Sequence, residues 1–104
     1  MPDFKISMSV IVPVYNEQHL VSRSLLRLKT LGISPYLSRV EVLVVDDCSK
    51  DQTFAVLERF KAEQEREPRK DFEWKLFRHE KNKGKGGAIR TALEHATGDV
   101  SVIP

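Results

Sequence analysis

The stretch Val42-Leu43-Val44-Val45-Asp46-Asp47-Cys48-Ser49 is an apolar run that stops at two adjacent carboxylates and then at a helix start. Its lack of alternation reads as a strand buried on both faces, over about residues 40–46. Open α/β sheets build nucleotide sites in this way, by carrying acid groups to the carboxyl end of a buried parallel strand. A second edge of the same kind precedes it, Ser9-Val10-Ile11-Val12-Pro13-Val14-Tyr15-Asn16-Glu17, with a first strand at about residues 8–14. Two strand tips loaded with polar groups point to a site.

Working outward, apolar runs alternate with stretches of helical periodicity. A first helix is expected over 17–31, with Val21, Leu25 and Leu28 on one face, Asn16 as N-cap and Gly32 as its stop. Ser49 with Gln52 fits a capping box, after which Thr53, Val56, Leu57 and Phe60 recur at helical spacing in a second helix ending near Glu65. Its charged tail, 61–71, contains Pro68 and reads as a solvated helix end and surface loop. A third strand, 73–79, alternates in the manner of a more exposed strand near a sheet edge. Asn82-Lys83-Gly84-Lys85-Gly86-Gly87 then opens a third helix whose face is Ile89, Ala92, Leu93 and Ala96, with Gly98 ending it and a fourth strand over 100–103. The fold class is therefore α/β, a Rossmann-like three-layer αβα arrangement with a mostly parallel sheet. Right-handed crossovers give the order 3-2-1-4 and place a ligand outside the strand ends between strands one and four, beside Tyr15 and Asn16.

Composition narrows the class further. The chain has 104 residues, 40% hydrophobic and 31% charged, which is ordinary for one globular domain and too apolar for disorder. Its 17 basic and 15 acidic side chains are interspersed and sum to +2, so there is no nucleic-acid footprint. The single Cys48 excludes an internal disulfide and a multi-cysteine metal site, and a cytoplasmic setting is expected. His19, His79 and His95 lack a metal-ligand spacing and are expected at the surface. The first βα turn, Pro13 to Gln18, contains no glycine, which disfavours a nicotinamide enzyme, and Gly84-Lys85-Gly86-Gly87 lacks the spacing and hydroxyl of a Walker P-loop.

Three segments in order and spacing, Val10 to Glu17, Val44 to Thr53 and Asn82 to Ile89, make the chain resemble the N-terminal half of the family 2 glycosyltransferases, inverting enzymes of the GT-A fold. That resemblance implies a nucleotide-sugar-binding half-domain spanning 1–104, from a parent enzyme that transfers a sugar from a UDP- or GDP-linked donor with inversion. Pro13, Tyr15 and Glu17 match the loop that flanks base and ribose, Asp47 the carboxylate that accepts the imide N–H of uracil or guanine, and Lys85 and Gly86 the motif near the diphosphate. Departures are Cys48 and Gln52, both positions where the family favours glycine. Gly98-Asp99-Val100 resembles the lead into the family's fourth strand, after which an Asp-x-Asp metal motif is expected. Mg²⁺ or Mn²⁺, its ligands and the general base are thus expected outside these residues, and the 104 residues alone are expected to be inactive. The acceptor is open, lipid-linked or polysaccharide, with the parent enzyme at the cytoplasmic face of a membrane as one option. The alternative is a non-catalytic nucleotide-binding or association module, dimerising through an exposed sheet edge. On the residues alone, Asp46 and Asp47 also suit a strand end that favours a helix N-terminus, and Tyr15 a packed aromatic.

Overall fold

The computed structural model describes residues 5–31 and 35–104, so the expected helix stop at Gly32 lies outside the described residues. The elements are β1 (Ile6–Val14), α1 (Val21–Leu31), β2 (Leu37–Asp46), α2 (Thr53–Arg66), β3 (Phe72–Arg78), α3 (Gly84–His95) and β4 (Val100–Val102). The four strands form a parallel sheet in the order β3-β2-β1-β4, as the crossover rule requires. In register, Val14 of β1 lies beside Asp46 of β2, and Asp46 beside Arg78 of β3, so three strand tips finish level.

The pleat of β2 explains its unbroken apolar run. Val40, Val42 and Val44 point to one face, where Val10, Val14, Val21, Leu25, Leu57 and Phe60 from β1, α1 and α2 close over them. Leu43 and Val45 point to the other face and meet Ile11 and the small residues Ala88 and Ala92 of α3. Both faces are covered, so neither alternates in polarity; each fully buried valine or leucine contributes about 1.5–3 kcal/mol. β3 is an edge strand, with Trp74 half-buried in edge contact with Phe60 at 5.0 Å between ring centroids.

Five local expectations give way to other contacts. Helix α1 starts at Val21, four residues later than the periodicity implies, because residues 17–20 form a turn closed by the amides of Leu20 and Val21 on the Glu17 carbonyl. Asn16 consequently caps nothing and sits instead at φ 48°. The capping box does not form, since the Ser49 hydroxyl turns to Asp46 and the Asp51 carboxylate takes the Thr53 amide at 2.9 Å. Leu93 leaves the buried face of α3 and is half-exposed, because Ala88 and Ala92 carry the contact with the sheet. Gly98 does not cap α3, which ends at His95. A Cβ at Gly98 would lie 2.7 Å from the Ser9 amide nitrogen and 2.9 Å from the Met8 carbonyl carbon, so glycine is required for the chain to pass against β1.

One buried charge has no counterpart in the sequence expectations. Glu41 of β2 is fully buried on the α3 face, where its carboxylate accepts hydrogen bonds from Ser9 Oγ at 2.6 Å, Lys75 Nζ at 2.7 Å, the Thr97 amide at 2.5 Å and Thr97 Oγ1 at 3.0 Å. Burial by itself would raise its pKa, but the bonds from Lys75, Ser9 and Thr97 outweigh that and hold it at about 2. The same turn continues with the Gly98 amide on Ser9 Oγ and the Asp99 amide on Ser7 Oγ, fastening the entry to β4 against β1.

Candidate functional site

The site grows from the tips of β1 and β2. Beyond the strand ends the Asp47 amide still donates to the Val14 carbonyl at 2.9 Å, which extends the ladder by one bond and fixes the Asp47 backbone. The chain then turns at Cys48, whose φ of 61° is the left-handed conformation that glycine adopts without cost, which accounts for the glycine expected at that position and means that cysteine holds it under strain. Two loops are stitched together across this turn. The Asn16 amide donates to Ser49 Oγ, the Lys50 amide to Asn16 Oδ1, the Glu17 amide to Thr53 Oγ1 and the Gln52 amide to Gln18 Oε1, all between 2.8 and 2.9 Å. Asn16 is a staple between loops, with the left-handed backbone that asparagine tolerates.

The two carboxylates part company. Asp46 is fully buried, accepts the Ser49 hydroxyl on Oδ1 and lies 3.6 Å from Arg78 Nε, and it is not among the residues that line the cleft beside Asp47. Its Oδ2 has no hydrogen-bond partner among the described residues. Asp46 is therefore scaffolding that ties β2, β3 and the acid loop.

Asp47 points the other way, under the start of α3. Its Oδ1 accepts the Lys83 amide at 2.8 Å and the His79 ring at 2.8 Å through Nδ1, and its Oδ2 accepts the Gly84 amide at 2.8 Å. Lys83, at the N-cap position of α3, makes no side-chain cap bond, so Asp47 caps that helix from a distance. Burial opposes its ionisation, yet the Lys83 amide, the His79 ring and the Gly84 amide together hold the carboxyl below its usual range. The group is a carboxylate at neutral pH.

His79 corrects the expectation of a surface histidine. It is buried, with Nδ1 on Asp47 and Nε2 2.7 Å from Thr91 Oγ1 of α3. The Asp47 carboxylate only accepts, so Nδ1 carries a proton. The signal that locates His79 is register rather than spacing: Asp46 pairs with Arg78, so the next residue of each strand faces the other.

A cleft of about 510 Å³ opens between these loops, α3 and the end of β4. That lies within the range of small-molecule sites, roughly 300–1,000 Å³. Of the residues expected to contact a donor, Pro13, Tyr15, Glu17, Asp47 and Lys85 line it together, although they come from three separate segments. Gly86 does not line it. Asn82, Gly84 and Ala88 do, none of which the sequence reading selected as a site residue. Gly84, at φ 79°, turns the chain so that its amide meets Asp47, and a Cβ at Gly86 would meet nothing within 4 Å, leaving the approach to the first turn of α3 open. Tyr15 is 41% exposed, which makes it a ring face presented to the cleft and not a packed core aromatic. Among the described residues, no three histidine, cysteine, aspartate or glutamate side chains converge to hold a metal ion.

A parallel αβα sheet in the order 3-2-1-4, with an ionised acid and a cleft at the switch point, defines a Rossmann-like ligand-binding domain of the GT-A type. The family model of glycosyl transferase family 2 matches residues 9–103, and the chain belongs to that family. It is 32% identical over 101 residues to a dolichyl-phosphate beta-glucosyltransferase of Saccharomyces cerevisiae, covering 92% of this chain and 28% of that protein. It is 35% identical over 99 residues to the UDP-Glc:alpha-D-GlcNAc-diphosphoundecaprenol beta-1,3-glucosyltransferase WfgD of Escherichia coli, covering 94% of this chain and 33% of that protein. Among solved structures, the mannosyltransferase PcManGT of Pyrobaculum calidifontis in complex with GDP-Man and Mn²⁺ superposes with a TM-score of 0.75 at 35% identity, over 95% of this chain and 27% of that one. The chain thus spans between a quarter and a third of the length of these relatives. No described helix is long and apolar enough to cross a membrane.

Proposed function

We propose that the cleft binds the nucleoside diphosphate portion of a sugar donor, and that the chain is the donor-binding half-domain of an inverting glycosyltransferase. The observation that carries this reading is the ionised Asp47, held at the cleft by three protein donors and accompanied there by Pro13, Tyr15, Glu17 and Lys85. In this assignment Tyr15 offers a stacking face to the base, Asp47 accepts the imide N–H and Pro13 and Glu17 border the ribose. Lys85, in the first turn of α3, brings positive charge to the diphosphate at a helix N-terminus, where backbone amides already favour anions.

Recognition is the whole of what these residues do in the proposed reaction. They orient the anomeric carbon for in-line attack by lowering the entropy of the encounter. A complete enzyme would use Mg²⁺ or Mn²⁺ to offset charge on the departing diphosphate, and a general base to activate the acceptor hydroxyl. The names of two relatives contain a lipid phosphate, dolichyl phosphate, and a lipid-linked sugar, GlcNAc-diphosphoundecaprenol, which supports a lipid-phosphate type of acceptor for the parent enzyme.

Calorimetric titration of the 104-residue chain with UDP and with GDP, with and without Mn²⁺, tests the reading. Binding of at least one nucleotide is expected, weakened about tenfold or more in Asp47→Ala, the loss associated with a hydrogen bond to a charged group. Absence of binding by both nucleotides, or an affinity indifferent to the substitution, would sink the assignment.

A further inference from the structure

We infer that the cleft selects uracil over guanine because the protein itself has used up all but one of the acceptor sites on Asp47; this inference rests on the nucleotide-binding reading above. A carboxylate has about four lone-pair sites, two on each oxygen. Here Oδ1 accepts both the His79 ring and the Lys83 amide, and Oδ2 accepts the Gly84 amide. Among the hydrogen bonds of the described residues, one acceptor site remains, on Oδ2.

The pyrimidine imide of uracil presents a single N–H between two carbonyls and needs one acceptor. The guanine edge presents two adjacent donors, its ring N–H and its amino group, which a carboxylate satisfies with both oxygens in bidentate fashion. With Oδ1 occupied, one guanine donor is left unpaired or must displace His79. Cytosine and adenine fare worse, since each sets a ring acceptor against the carboxylate. The neighbouring wall complements uracil further. The Asn82 amide spends one N–H on the Asp47 carbonyl at 3.3 Å and has a second to give, and with Lys85 it lines the cleft beside Asp47, where the flanking carbonyls need donors.

His79 is in this account a positioning residue that sets specificity through Asp47. It is buried, and its far nitrogen is anchored on Thr91 of α3, so it cannot swing aside to free Oδ1 without breaking a second hydrogen bond. A histidine that only filled space would be replaceable by an apolar side chain with no change in base preference.

The test is a panel of UDP, GDP, CDP and ADP titrated into the chain, probes that differ only in the base. UDP is expected to bind about tenfold tighter than GDP or more, the penalty for one unpaired donor, with CDP and ADP weaker still. His79→Leu, folded by circular dichroism, is expected to lower the UDP-to-GDP affinity ratio severalfold, and His79→Asn, which keeps a donor near the Nδ1 position, to preserve it. GDP binding as tightly as UDP in the wild type overturns the inference while leaving nucleotide binding intact, and so does a ratio unmoved in His79→Leu. If none of the four binds, the underlying reading falls and this inference with it.

Discussion

Replacing Glu41 by glutamine should cost about 3 kcal/mol of folding stability at pH 7 and remove this residue's own contribution to the chain's acid sensitivity between pH 4.5 and 2. Two routes give that magnitude. The carboxyl is held at about 2 instead of its ordinary 4.5, and at about 1.4 kcal/mol for each pH unit the displacement is worth about 3 kcal/mol. Independently, breaking a buried ion pair costs roughly 3–5 kcal/mol, and the lower end applies because the side chain of Lys75 is 27% exposed and can return to water. The sign follows from the direction of the shift. A depressed folded-state pKa adds stability that is fully present above 4.5 and is lost as pH falls towards 2. Urea unfolding at pH 7, 4.5 and 3 measures both effects; with a slope of about 1–3 kcal/mol per molar, the glutamine variant should shift the pH 7 midpoint down by roughly 1–3 M. A midpoint unchanged at pH 7, or an acid profile that the variant shares with the wild type, would refute the reasoning.

Other expectations follow from single contacts. Gly98→Ala should destabilise by about 1–3 kcal/mol, because its Cβ would strike the backbone of β1 at Ser9, and amide exchange should show β4 loosening first. Cys48→Gly should leave stability within about 0.5 kcal/mol of wild type, relief of the left-handed strain being offset by the flexibility gained in the unfolded chain, whereas Cys48→Val should lose about 2 kcal/mol. Both are read by thermal unfolding. The open edge of β4, with Val100 and Val102 about two-fifths exposed, should favour self-association; sedimentation velocity at increasing concentration should show a dimer that Val102→Lys suppresses, and a monomer at every concentration would exclude it.

The layout of this domain is written in local patterns that need no partner to be read. The apolar runs of β1 and β2, the helical spacing of Val56, Leu57 and Phe60 and the glycine cluster before α3 each depend on neighbours in sequence, and with the handedness rule they determine the strand order. Asp47 was legible for the same reason, since it follows directly from where β2 must end. What stayed hidden depends on register between distant segments. His79 reads as a scattered surface histidine until β3 is aligned with β2, and nothing near Glu41 in sequence marks it as a buried charge until Ser9, Lys75 and Thr97 converge on it. Asn16 and Ser49 are typical cap residues by type, and each is diverted because the two loops bond to one another across more than thirty positions of sequence. Gly98 likewise looks like a helix stop, and only the passage beside β1 shows that space, not backbone conformation, demands it.

The most direct test of the central claim is a ¹⁵N-resolved titration of the chain with UDP, following the amides of Tyr15, Lys83, Gly84 and Lys85. If the cleft beside Asp47 is the nucleotide site, these resonances should move together and saturate at one affinity, and the response should be weakened about tenfold or more in Asp47→Asn. Shifts confined to residues outside the cleft, or a saturating response that survives the substitution unchanged, would contradict it.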